Sequence, residues 1–221
     1  MQDLNLLKFE IKPSKKKAYH HGDLRHSLLA AAESLLAHKG VAELSLREVA
    51  KAAGVSHAAP YRHFRNKRDL IEALAAEGFR YLTRASREIE QKYPHQPEKQ
   101  LIELGWKHFY LAREKPAIVH LLFGDALPIK SAGKELREAA QEAIESLVRI
   151  VKNGQKAGLY KKTNAHILAL AAISMVHGFS LLVISGKIPP PLSGRLPIKF
   201  LGKALADILL HGMLKRHGNA K

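Results

Sequence analysis

Residues 54–70, GVSHAAPYRHFRNKRDL, concentrate the side chains with the most chemistry to offer. Tyr61, His63 and Lys67 follow one another at spacings of two and four, and Pro60 interrupts a run that otherwise reads as helix. A phenol, an imidazole and an ammonium are all donors suited to phosphate oxygens. Catalytic chemistry is poorly served elsewhere. The chain has 13 histidines but no H-E-x-x-H or other tight ligand spacing. His20-His21 falls in an expected loop, and His57 and His63 are six apart, off a shared helix face. There is no glycine-rich phosphate loop and no G-x-S-x-G. Without cysteine there is no disulfide, thiolate metal site or thiol redox switch. The expectation is a non-enzyme with no metal and no cofactor, and a reducing cytoplasm fits its composition.

The elements that must position these donors are helices. Apolar recurrence at three and four residues predicts a first helix from about Asp23 to His38, stopped at Gly40. Ser45-Leu-Arg-Glu48 has the form of a capping box and starts a short second helix ended by Gly54. A third short helix is expected from about Ser56 to Phe64, and Asn66 can cap a long fourth one. Two short helices joined by a glycine-containing turn, residues 45–64, form a helix-turn-helix pattern. Its second helix would lie in the DNA major groove. With Ser56 as N-cap, Pro60 occupies the fourth helical position, where at most one intrahelical bond is lost. Ala58 and Ala59 are small enough for close approach to a duplex, while Tyr61, His63 and Lys67 face phosphates. Each of these residues taken singly also suits packing or a solvated face; the capping box, glycine turn and capped basic helix together favour DNA.

The net charge of +16 calls for an anionic partner but does not locate it. Residues 1–69 hold 13 Lys and Arg against 7 Asp and Glu, and the other 152 residues hold 23 against 13. Non-specific or architectural DNA binding is therefore the alternative to sequence-specific recognition. Lys12 to Lys17 reads as a basic arm within a disordered segment 1–19, and no secretory leader is expected.

The segment Tyr93 to Pro97 breaks the fourth helix. Beyond it, helices are expected near 98–114, 116–123, 134–156, 165–185 and 197–216, with no strand alternation, which makes the protein all-α. Residues 167–185 form an uncharged run long enough to span a membrane. Its Ser174, His177, Gly178, Ser180 and alanines favour a helix enclosed by protein, so no membrane partner is expected.

From His20 to Leu82, and above all in LREVAKAAGVSHAAPYRHFRNKRDLIEAL, the chain resembles the DNA-binding domain of TetR-family transcriptional regulators. The resemblance implies a three-helix DNA-binding domain over 20–82 and a larger helical ligand-binding and dimerisation domain over 83–217. It also implies a homodimer on a palindromic double-stranded operator, released by a small-molecule inducer. By position, Ser45, Tyr61, His63 and Lys67 match the family's phosphate contacts. Arg47, His57, Ala58, Ala59 and Arg62 match its base-reading positions. Pro60 departs from the family's usual leucine. Trp106 and His177-Gly178 resemble a subgroup named for Trp, His and Gly. The last two long helices, about 165–185 and 197–216, would form the dimer bundle. Trp106, Phe109, Tyr110, Phe123, Met175, His177 and Phe179 are the candidate pocket, although aromatic and Met side chains equally make ordinary core. His177 suits a ligand contact, a satisfied core histidine or an interface contact.

Overall fold

In this computed structural model residues 21–190 and 192–213 are described, and every regular element among them is helical. The basic segment 1–19 lies outside the described residues. The chain forms two compact units, each discontinuous in sequence. The first contains the described residues up to Tyr81 together with Lys115–Gln141, and the second contains Leu82–Glu114 with the described residues from Glu142 on.

The first unit is built on α1 (His21–Glu43), α2 (Leu46–Ala52), the start of α3 (Lys67–Lys92) and α5 (Pro116–Phe123). Gly40, at φ 75°, interrupts α1 close to its expected stop. Ser45 caps α2 by accepting the Glu48 backbone N–H at 3.2 Å. Gly54 ends α2 at φ 68°, a conformation that costs glycine little. The N–H of Val55 reaches the Ala50 carbonyl at 3.0 Å and that of Gly54 reaches Lys51 at 3.2 Å. This paired closure satisfies carbonyls that the helix end leaves open. Leu28, Leu29, Val49, Ala50, Phe64, Leu70 and Leu74 fill the core beneath. Lys115–Gln141, expected in the second domain, belongs here because α5 is almost wholly apolar. Ile118, Val119, Leu121 and Leu122 are all buried, and Leu122 approaches Gly78 of α3 so closely that a Cβ there would meet it at 2.8 Å.

The second unit contains α4 (Pro97–Glu114), the later part of α6 (Lys134–Lys156), α7 (Ala165–Ile184) and α8 (Ile198–Met213). Its core joins Leu101, Val148, Ile150, Val151, Tyr160, Leu168, Ala169 and Leu210. Tyr160 lies flat against Gly154, where a Cβ would come within 2.2 Å of the ring. α7 buries Leu168, Ala169, Ala172 and Phe179 on one face, but Ile167 (60% exposed), Leu170 (61%) and Leu182 (41%) lie on the other. Phe200 and Ile208 of α8 are also more than half exposed.

Candidate nucleic-acid interface

The expected third helix is shorter and tighter than its sequence period suggests. Only Pro60–Arg62 forms a helical turn, and it is of the 3₁₀ type. Pro60 supplies the reason, since it has no N–H to reach the Ser56 carbonyl. Ala59 bonds that carbonyl instead at 3.0 Å, three residues on rather than four. Arg62 N–H then reaches Ala59 at 3.3 Å, and His63 and Phe64 both reach Pro60.

The turn has an inner and an outer side. Ala59 and Pro60 are buried, so Ala59, expected among the base-reading residues, is instead part of the packing that seats the turn. Ser56, His57, Ala58 and Arg62 face solvent, and Tyr61 is 53% exposed, unusual for so large a ring. His63 is half-buried beside Phe64, with ring centroids 6.3 Å apart. Arg47 is exposed on α2.

Ser45 and Lys67 do structural work as well. Ser45 Oγ accepts the capping N–H and donates to Glu48 Oε2 at 3.3 Å. Lys39 donates to the other oxygen of Glu48, which holds that carboxyl below its usual range and raises the Lys39 ammonium in turn. The capping box thus closes through the two side chains and a lysine from α1. Asn66 caps α3 as expected, accepting the Asp69 N–H at 2.9 Å. Lys67 is half-buried, and its ammonium donates to the Ala42 carbonyl at 2.6 Å, latching the end of α1 to the start of α3.

One cation beside the turn was not among the expected set. The Arg65 side chain is 88% exposed and is held by Asp69, 2.7 Å from its Nε. The available signal was the Arg65-x-x-x-Asp69 spacing, which puts a residue just ahead of the Asn66 cap within reach of a carboxylate in the first turn of α3.

The expected pocket residues divide between the units. Trp106, Phe109, Tyr110 and Phe179 meet in the second unit, with Trp106 5.6 Å from Phe109 and Phe109 stacked on Phe179 at 5.6 Å. Trp106 also packs closely on Gly202, where a Cβ would fall 2.6 Å from the indole. Phe123 is not among them: it packs edge-on to Phe79 in the first unit, at 5.9 Å. Met175 is half-buried on α7. His177 Nδ1 lies 3.4 Å from Nε2 of His108, a residue absent from the expected set. Burial and, secondarily, His177 push His108 down to about 4, so it is neutral at physiological pH. Its position on the Leu101, Leu104, His108, Leu111 stripe marks it as inward-facing without saying what it meets. Among the described residues no group of three or more His, Cys, Asp or Glu could hold a metal ion.

Two family models match the chain. One, for bacterial regulatory proteins of the tetR family, covers residues 28–74, and the other, a tetracyclin repressor-like C-terminal domain, covers 101–196. An uncharacterized HTH-type transcriptional regulator of Haemophilus influenzae is 26% identical over 155 residues, 68% of this chain and 78% of its own. The HTH-type transcriptional regulator AcrR of Shigella flexneri is 34% identical over 82 residues, spanning 37% of this chain and 38% of that protein. A solved structure of a protein with unknown function from Rhodococcus sp. RHA1 is 33% identical, with a TM-score of 0.77, and the match covers 90% of this chain and all of that one.

Proposed function

We propose a specific working form for this chain, which belongs to the TetR family of bacterial transcriptional regulators and is a DNA-binding protein rather than an enzyme: a cytoplasmic homodimer that represses from a palindromic operator and is released by a small molecule. The exposed outer side of the Ser56–Arg62 turn, on a head braced from within by Ala59 and Pro60, carries this reading. Arg47, His57, Ala58 and Arg62 read base edges, and Ser45, Tyr61, His63 and Lys67 contact phosphates. Arginine is suited to the first task because its fork matches the two acceptors of guanine. The solvent-exposed apolar face of α7 and α8 supports a partner copy, since Leu170, Phe200 and Ile208 are each more than half exposed.

Inducer binding falls to the second unit, at the aromatic cluster of Trp106, Phe109, Tyr110 and Phe179 with His177 and Met175 beside it. Trp106, His177 and Gly178 keep the subgroup resemblance in play. A ligand that prefers a non-binding arrangement of the dimer weakens operator affinity by a coupling of about 1–3 kcal/mol. Selection from random duplexes should yield a palindrome, and Arg47→Ala should lose about 1–3 kcal/mol on it while relaxing preference at one base pair per half-site. Equal loss on cognate and random DNA would remove Arg47 from base reading. Selection that returns no consensus, with steep salt dependence, would favour non-specific binding instead.

A further inference from the structure

Much of the chain's positive charge lies outside the DNA-reading head. Between Glu145 and Asp207 run 61 residues without a single Asp or Glu, and nine Lys or Arg lie among them. Part of this run lines a groove of about 450 Å³ at the end of α6, formed by Lys152, Gln155, Lys156, Lys162 and Thr163. No carboxylate lines it. Arg149 nearby is committed to Glu90 and His166 to Glu145, whereas the three groove lysines form no ion pair among the described residues.

The loop that closes the groove is tied down from several sides. Gln155 Nε2 donates to the carbonyls of Lys161 and Thr163 at 2.8 and 2.7 Å. The N–H groups of Leu159 and Tyr160 both reach the Gly154 carbonyl, and the Tyr160 ring is buried. Asn164 then caps α7, accepting from His166 N–H at 2.9 Å. Lys152 and Lys156 near the C-terminus of α6 complement its dipole. Lys162 is not on that helix, so the dipole does not account for it.

Three like charges around one concavity, without counter-charges, repel one another until an anion arrives. Lysines are compact point charges without the planar fork that fits one carboxylate. Three of them with a hydroxyl suit an anion whose oxygens are spread over several centres. We propose that this groove binds the oligophosphate part of a small molecule, separately from the DNA-reading head. Fixing the loop in advance lowers the ordering cost of that binding.

Calorimetry on the full-length protein with sodium tripolyphosphate tests this at physiological salt. Binding is expected, and Lys156→Gln with Lys162→Gln should weaken it by at least about tenfold, the loss of charged hydrogen bonds. Both residues are exposed, so the thermal melt should not change and operator affinity without the probe should be kept. Arg47→Ala with Arg62→Ala, which removes polyanion binding at the head, should leave the tripolyphosphate isotherm in place. The proposal is overturned if the wild type fails to bind, if the lysine variant binds as wild type, or if only the head variant loses binding. Loss of duplex affinity in the lysine variant, with tripolyphosphate binding intact, would make DNA the partner and also overturn it. Co-sedimentation with phosphatidic acid vesicles separates a lipid source. Capture by vesicles without tripolyphosphate binding would refute the soluble ligand.

Discussion

Leu170→Ala tests the proposed dimer face most directly, because its cost in the single chain is small. Leu170 leaves 61% of its surface exposed on α7. Fully burying a leucine is worth about 1.5–3 kcal/mol, so covering the exposed part with a partner contributes roughly 1–2 kcal/mol per protomer. A two-fold interface uses the same residue twice, which brings the total to about 2–4 kcal/mol. Alanine keeps one methyl group, so the lower half of that range applies, roughly 30- to 200-fold in the dimer dissociation constant. Sedimentation velocity across a concentration series measures it, with circular dichroism melting as the control for folding. The expected pattern is a wild-type dimer at micromolar concentration and a variant that dissociates at higher concentration without losing helix content. A monomeric wild type, or an unchanged dissociation constant in the variant, would refute the assignment of this face. Equal loss of melting temperature in a monomer-only regime would show that Leu170 is covered by its own chain, against its exposure in this structure.

Lys67→Met should lower head stability by about 1 kcal/mol through the lost bond to the Ala42 carbonyl, and should also flatten the salt slope of duplex binding by about one; an unchanged melt would deny the latch, and an unchanged slope the phosphate contact. Tyr160→Phe should be neutral or stabilising, because the buried Tyr160 hydroxyl has no hydrogen-bond partner among the described residues. Gly154→Ala should cost about 1–3 kcal/mol by forcing a Cβ into the Tyr160 ring, and a melting temperature equal to wild type would contradict that packing. His108 is depressed to about 4 in the folded chain against 6.5 for the free side chain, so the unfolded state binds the extra proton between those values. Stability from this group is therefore whole above pH 6.5 and falls by up to about 3 kcal/mol as pH drops to 4. His108→Phe should flatten that part of the stability profile in denaturant titrations at several pH values.

What was legible in the sequence was whatever local chemistry decides. The Ser45 cap, the Gly54 stop and the Asn66 cap each depend on neighbours within five residues, and all three form as the spacing dictates. Pro60 was legible as a tolerated residue but not as the cause of a 3₁₀ turn. Counting lost hydrogen bonds does not reveal that Ala59 will take over the Ser56 carbonyl and turn inward. The errors grow with sequence distance. Phe123 resembles Trp106 in side-chain type, yet an apolar α5 is drawn to α1 and α3 by packing between elements distant in the chain. His108 is not legible as a partner of His177, because a histidine on an apolar stripe has the same spacing whether it meets solvent, a ligand or another histidine.

α7 carries the deepest ambiguity, since its composition states how much burial it needs without saying what supplies it. Its 20 residues are long and apolar enough to cross a bilayer, and only 28% of its most apolar 18-residue stretch is buried within the described residues. Lipid or a partner helix could satisfy the exposed face equally well on apolar area alone. The inner face separates them. A span surrounded by lipid is apolar all round, whereas α7 presents His177 to His108 of α4 and buries Ser180, which donates to the Val176 carbonyl at 2.7 Å. One face is therefore already committed to a protein interior that includes polar groups. The exposed face, moreover, does not close on itself around the helix: it is a stripe through Ile167, Leu170, Ser174 and Leu182, with half-buried Gly178 between the last two, at the spacing of one helical side. Its centre, at Ser174 and Gly178, is small, and a Cβ at Gly178 would meet nothing within 4 Å. A stripe flanked by leucine and isoleucine with a shallow middle is shaped to receive another helix at close range, which lipid chains do not require.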